Sequence, residues 1–339
     1  MNQSGVPEPK IEYAPKHYIC KRAQEPLMLD GRVDKAFWDA AHWTDDFVDI
    51  EGDLRPKPAK QTRVKMLWDD DYFYFAAELI EDQIWATLTE RDSVIFYDND
   101  FEIFIDPDGD THQYYEFEIN ALNTVWDLLL VKPYRDGGPP VNGWDISGLK
   151  TAVHIDGELN TPGADNRKWS VEVAIPWTSL KECAEGNRPP APGEFWRVNF
   201  SRVEWQTEVQ DGEYRKVVNP DTGKPYPEDN WVWSPMGIIN NYPELWGYVV
   251  FSDDGMDQPF ELPEDERIKW ELRRLYYRER NYFEAHGEFT QDVKLLMGEE
   301  TLICQPVIET TRSLFQISTP SSDGTTLICI REDGKLWKE

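Results

Sequence analysis

From Thr62 onward the chain sets apolar and aromatic positions against polar ones in short runs, over 62–68, 72–79, 101–105, 114–119, 125–131, 149–155, 168–175, 195–203 and 247–251. A period of two turns one face of each run toward a core and the other away from it. The residues between the runs suit tight turns. Asp69-Asp70-Asp71, Asp106-Pro107-Asp108-Gly109-Asp110 and Asp156-Gly157 are types that tolerate an αL backbone or hydrogen-bond it locally. Many short strands at this spacing predict an all-β fold, an antiparallel β-sandwich of the jelly-roll kind. Helices are expected sparingly, over 34–41 and 176–183, the second with Pro176 at its first turn.

The texture changes at Pro263. Residues 264–286 are charged and helix-forming, with Ile268, Leu272, Leu275, Tyr276, Tyr282 and Phe283 roughly on one stripe and Gly287 placed to close the helix. A shorter helix is expected from Thr290, carrying Val293, Leu295 and Leu296. Strand-like runs follow at 301–308, 314–318, 326–330 and 336–338, with Ser321-Ser322-Asp323-Gly324 and Asp333-Gly334 as hairpin turns. The first seventeen residues hold three prolines and no periodicity. The expected organisation is therefore a flexible tail over 1–17, a sandwich over 18–255 and a small α+β appendage of helix and hairpins over 256–339.

Charge narrows the partners. Across 339 residues, 64 Asp and Glu against 35 Lys and Arg give a net charge of −29, which repels phosphate backbones and excludes nucleic acid as an expected partner. With 15 Trp, 15 Tyr and 15 Phe the chain is too rich in core formers to be a disordered acidic segment. No stretch approaches the roughly 20 apolar residues of a membrane span. The start lacks a basic and then apolar signal, so the chain as written is expected to be soluble. Cys20, Cys183, Cys304 and Cys329 form no Cys-x-x-Cys. Either they stay reduced or they form up to two disulfides, with Cys304 and Cys329 the better-placed pair.

Catalytic motifs are missing. His17, His42, His112, His154 and His286 have no zinc-protease spacing, and there is no nucleophile elbow, dinucleotide loop or P-loop. Among so many acids some pair will stand at glycosidase separation by chance, which keeps a glycoside-active enzyme as an alternative. Asp106, Asp108 and Asp110 space three carboxylates as a calcium loop does. Gly109 falls at loop position four and Phe117 at position twelve, so this is not an EF-hand. It reads either as a structural Ca2+ site completed by Glu116 or a backbone carbonyl, or as a hairpin turn rich in Asp.

Five segments in order carry a resemblance. Leu29-Asp30-Gly31-Arg32-Val33-Asp34-Lys35-Ala36-Phe37-Trp38 opens with Asp-Gly, an acid and then Trp. It is followed by Val64-Lys65-Met66-Leu67-Trp68-Asp69-Asp70-Asp71-Tyr72-Phe73-Tyr74 and by Asp98-Asn99-Asp100-Phe101-Glu102-Ile103-Phe104-Ile105-Asp106. Trp169-Ser170-Val171-Glu172-Val173-Ala174-Ile175-Pro176-Trp177 comes next, then Trp233-Ser234-Pro235 with Trp246-Gly247. Together they resemble the family 9 carbohydrate-binding modules and their relatives over roughly 18–252.

The resemblance implies a non-catalytic sandwich that holds a poly- or oligosaccharide between aromatic rings, in an exported protein: secreted, periplasmic or at the cell surface. The physical fit is independent of it, because pyranose rings offer apolar C–H faces for stacking and hydroxyl edges for Asp, Asn, Glu or Arg. Mapped onto this chain, the family pocket implies Phe96 or Tyr97 as one aromatic wall, Glu102 as the matching acid, and Asn199 with Arg202 continuing its strand face. At the closing loop Asn240 stands where the family has tryptophan, leaving Tyr242 as the second platform, with Trp233 nearby. Glu118 stands where the family uses arginine. Of the tryptophans, Trp38, Trp68, Trp169 and Trp246 are expected in the core, and Trp126, Trp144, Trp205, Trp231 and Trp233 are the candidate platforms. The remaining alternative is an electron-transfer sandwich holding haem, with His112 and His154 as available ligands.

Overall fold

A computed structural model of the chain describes residues 5–253 and 260–339. The alternating runs are realised as strands, and β1 and β10 join them from outside those runs: β1 (His17–Arg22), β2 (Thr62–Trp68), β3 (Tyr72–Ile80), β4 (Asp100–Asp106), β5 (Tyr114–Asn120), β6 (Val125–Leu130), β7 (Lys150–Asp156), β8 (Lys168–Pro176), β9 (Phe195–Glu204), β10 (Asp229–Val232) and β11 (Gly247–Ser252). With Val48–Asp49 and Pro140–Val141 they join in one sheet of 13 strands, whose main path runs from Pro140–Val141 through β6, β5, β4, β9, β11, β1, β2, β3 and β8 to β7. β10 pairs with β9 off this path and carries Val48–Asp49.

The sheet closes over itself into a sandwich. Val64, Phe75 and Val173 from one half share a buried cluster with Phe101, Ile103, Phe117 and Phe200 from the other, which only a sheet folded into two layers allows. The seam departs from the expected antiparallel pattern, because β1 lies parallel to both β11 and β2 while the other pairs are antiparallel. Arg22 there reaches Asp253, 231 residues further along the chain.

The opening motif and the fourth matched segment meet at one carboxylate. Glu172, fully buried on β8, accepts hydrogen bonds from the backbone N–H of Asp30 and of Gly31 at 2.9 Å, from Lys35 Nζ at 2.9 Å and from Trp38 Nε1 at 2.8 Å. Gly31 sits at φ 79°, where a Cβ would come within 2.4 Å of the Val153–His154 backbone, so only glycine fits.

Helix α1 (Glu264–His286) has the limits the sequence predicts, and α2 (Val293–Met297) starts from an Asp292 cap rather than from Thr290. A four-stranded meander follows: β12 (Val307–Thr310), β13 (Phe315–Pro320), β14 (Leu327–Arg331) and β15 (Leu336–Lys338). Ile268, Leu272, Leu275, Tyr276 and Tyr277 of α1 share a second buried cluster with Phe104, Tyr114, Leu128 and Leu130. The helix thus covers part of the outer face of β4, β5 and β6. The boundary expected at 255/256 lies outside the described residues.

Within the segment expected as a flexible tail, the described residues from Gly5 onward pack instead. Val6 is buried, Asn281 bonds both its N–H and its C=O, and Tyr13 stacks on Trp270 at 4.4 Å. All four cysteines are free. Cys304 precedes β12 in a loop instead of lying in a strand, and Cys329 stands opposite Ser318 and Trp337, which removes the pairing considered for them.

Candidate functional site

Strand alternation sends Phe101, Ile103 and Ile105 of β4 into the sandwich core and Asp100, Glu102, Phe104 and Asp106 to the opposite, outer face. Register extends this face sideways. Trp126 stands opposite Glu118, Glu118 opposite Glu102, Glu102 opposite Ser201 and Ser201 opposite Val232. Glu116 lies one step along β5. Four carboxyls, those of Asp100, Glu102, Glu116 and Glu118, therefore share one patch of sheet, and every one of them is buried.

Their surroundings are sparse in compensation. Glu118 Oε2 accepts the Phe96 N–H at 3.0 Å, Glu116 Oε2 accepts the Tyr134 hydroxyl at 3.3 Å, and Asp100 Oδ1 accepts the Val203 N–H at 3.3 Å. Among the described residues no Lys or Arg forms an ion pair with any of the four. Burial, reinforced by Glu116, pushes the Glu102 carboxyl up to about 8, and burial pushes Glu116 up to about 7. Asp100 and Glu118 move in the same direction, through burial first and Glu102 second.

The expected site residues separate on the structure. Phe96 and Tyr97 sit on a 3-10 turn, Ile95–Tyr97, at the edge of this patch. Tyr97 is 55% exposed, with its ring 4.9 Å from that of Phe96. The Phe96 carbonyl accepts Trp205 Nε1 at 2.8 Å, and Lys216 Nζ lies 3.2 Å from the Trp205 ring and 5.7 Å from that of Tyr97. Burial lowers the Lys216 ammonium to about 8. Asn240 is exposed on the closing loop.

Other expected contacts are occupied by structure. Asn199 shares the outer face with Glu102, yet its amide bonds the Ser234 carbonyl at 3.0 Å and the Ser234 N–H at 2.9 Å. Arg202 stands opposite Phe101 on the core side, so it does not continue the Asn199 face. It donates to Thr62 Oγ1, to the Ile80 carbonyl and to Glu81 and Glu204, and a sugar has no access to it. Trp233 is a core residue against Gly247, where a Cβ would come within 2.3 Å of its ring.

Tyr242 departs most from expectation as a platform. It is fully buried, its hydroxyl donates to the Pro7 carbonyl at 3.0 Å, and its ring packs on Tyr277 and under the Arg135 guanidinium at 4.1 Å. The α1 helix and the segment before β1 close over it. Trp126 and Trp231 are likewise buried, and Trp144 stacks on Tyr115 at 4.7 Å. His112, offered as a haem ligand, is buried with Nε2 3.6 Å from Asp333. Lys216 and Tyr134 were not singled out from sequence. Neither lies in a matched motif, and only the hairpin Thr207–Gln210/Glu213–Lys216 and the turn Tyr134–Asp136 bring them here.

The Asp106–Asp110 turn forms a separate acidic centre. Asp106 accepts the Gly109 and Thr111 N–H groups at 3.1 and 2.9 Å, Asp108 accepts that of Asp110, and Asp110 pairs with Lys335 at 3.1 Å. One oxygen from each of the three lies within 4.8 Å of the others, a hard-oxygen set suited to calcium. Burial and then Asp110 push Asp108 up to about 6.

Residues 29–191 match the family described as carbohydrate family 9 binding domain-like. No curated protein matches the chain. Among solved structures, it is similar to a candidate carbohydrate-binding protein from Bacteroides uniformis ATCC 8492, at 15% identity and a TM-score of 0.50, over 70% of this chain and 100% of that one. At that identity the likeness speaks to the fold. A family 9 carbohydrate-binding module from Caldicellulosiruptor kristjanssonii is also similar, in its cellotriose and glucose complexes. Each is 15% identical over 73% and 72% of this chain and 100% of the module, with TM-scores of 0.44 and 0.43.

Proposed function

We propose that this chain, whose residues 29–191 match the carbohydrate family 9 binding domain-like family, binds a poly- or oligosaccharide without catalysis, at the aromatic edge formed by Phe96 and Tyr97. The observation that carries this reading is the 55% exposure of Tyr97, a large ring left open beside the buried acids of a matched family strand. An exposed ring at the rim of a polar patch offers a sugar its apolar face and leaves the hydroxyl edge to neighbouring donors and acceptors. Lys216 and Glu102 supply those groups, with Asn240 as a further polar candidate on the closing loop.

The net charge of −29 favours a neutral glycan over an anionic one. Such a ligand suits a secreted, periplasmic or cell-surface protein, and among the described residues no helix is long and apolar enough to cross a membrane. The same reading includes a structural calcium ion held by Asp106, Asp108 and Asp110.

A glycan array followed by calorimetry on the best hits tests the proposal. Tyr97→Ala is expected to weaken binding roughly threefold to tenfold, the scale of one aromatic stacking contact. A blank array from folded protein, or an unchanged Kd in Tyr97→Ala, overturns it.

A further inference from the structure

We propose that Asp100, Glu102 and Glu118, with the Ser201 hydroxyl, form a divalent-cation site on the outer face of β4 and β5, distinct from the Asp106–Asp110 turn. One carboxylate oxygen from each of the three acids lies within 4.8 Å of the others. Oxygens around an ion bound at about 2.3–2.6 Å, the distance calcium takes, fit within that limit.

Two further observations point to a missing ligand. The first is Ser201, only 4% exposed, which faces Glu102 from β9. Its hydroxyl is near enough to Glu102 to favour the charged carboxylate, yet among the described residues it stands in hydrogen-bonding geometry with no group. Asp100 Oδ2, completely buried, also lacks a partner among the described residues. A neutral hydroxyl and a carboxylate oxygen left open together are the complement a hard cation needs.

The second is the contrast with those buried acids of the chain that a cation holds. Glu172 has Lys35 at 2.9 Å, Glu78 has Arg63 at 2.8 Å, Glu204 has Arg202 at 3.0 Å, Glu244 has Arg135 at 2.9 Å and Asp136 has Arg280 at 2.6 Å. Buried carboxylates are tolerable when paired and costly when not. Asp100, Glu102 and Glu118 have no such partner among the described residues, and a bound ion would supply the two positive charges. Glu116, held by Tyr134, lies beside the site as a fourth negative charge. Glu102 is shared with the proposed sugar edge, but Asp100, Glu118 and Ser201 are not and none of the edge's rings is a ligand, so calcium uptake is expected without a sugar and in Tyr97→Ala.

The experiment uses the full chain stripped with chelator, in an Asp108→Asn background that removes the turn from the count. Calorimetry with calcium chloride is expected to show one remaining equivalent. Terbium is expected to luminesce on excitation of tryptophan, because Trp126 neighbours Glu118 on the sheet, and calcium should displace it. Glu102→Gln and Glu118→Gln relieve repulsion and preserve shape, so both should fold, checked by circular dichroism. Each should weaken the remaining site at least about tenfold, since ligand charge sets calcium affinity, and Ser201→Ala should weaken it less. Folded Asp108→Asn protein that takes up no calcium overturns the proposal. Uptake and terbium signal untouched by both glutamine variants would put the ion elsewhere and overturn it equally.

Discussion

Glu172 joins the opening motif to β8, and its removal has a size that follows from its partners. Glu172→Ala would leave the Asp30 and Gly31 N–H groups and the Trp38 indole without their acceptor, while Lys35 keeps Asp30 at 2.7 Å. A buried donor left unsatisfied costs about 1–3 kcal/mol. Three of them, one near the surface, give about 4 kcal/mol, within the ~3–5 kcal/mol seen when one member of a buried ion pair is removed. That is a large share of the ~5–15 kcal/mol total stability of a domain. Glu172→Gln keeps one acceptor but turns an amide N–H toward the remaining donors, for a loss of about 2–3 kcal/mol. Trp38→Phe should cost less than either. Urea unfolding followed by tryptophan fluorescence gives the three values, with m compared to confirm a common unfolded state. A loss below about 1 kcal/mol for Glu172→Ala at unchanged m would refute the idea that this carboxylate fastens the motif.

Tyr242→Ala is expected to destabilise the fold by about 3–5 kcal/mol, as large-to-small changes in a core do, whereas Tyr97→Ala should stay within about 0.5 kcal/mol; chemical denaturation separates them. The raised carboxyls of Glu102 and Glu116 mean that the folded chain holds protons the unfolded chain has released. Their contribution is full below the ordinary carboxylate pKa of 4.5 and is lost as pH rises toward about 8. Tm in chelator should therefore fall over that window, and Glu102→Gln should flatten the fall; a slope equal to wild type removes the cluster as its cause. Millimolar calcium added after chelation is expected to raise Tm through the Asp106–Asp110 turn. An unchanged melting curve, or a rise that persists unaltered in Asp108→Asn, would discard that turn as a site.

The strand runs were legible because a period of two is written into each of them, and β2 and β15 have the limits read from the residues. Helix α1 was legible for the same reason at its own period. The side of Arg202 follows from the same period: three residues from Asn199 on one strand, it must face the other way. Tyr242 is different. Its burial depends on α1 and Pro7 closing over it, contacts between segments far apart in sequence, and no local pattern announces which sheet face a helix will choose. The same holds for Val6, whose fixed place comes from Asn281, 275 residues away. For the candidate site, the aromatic and the acid at Tyr97 and Glu102 could be read from the motif, but the unpaired state of the acids could not. It follows from which cations fold elsewhere.

The parallel placement of β1 between β11 and β2 sets an order of events on the ribosome. β1 leaves the exit tunnel early and can find β2 after some forty residues, but its other neighbour is β11, with Arg22 and Asp253 separated by 231 residues. At about 5–20 residues per second, that wait lasts on the order of ten seconds or more. Throughout it the nascent chain presents an unpaired strand edge, the kind of surface that invites other chains. The demand on holding chaperones should therefore end when the segment Gly247–Ser252 emerges, well before the meander is made.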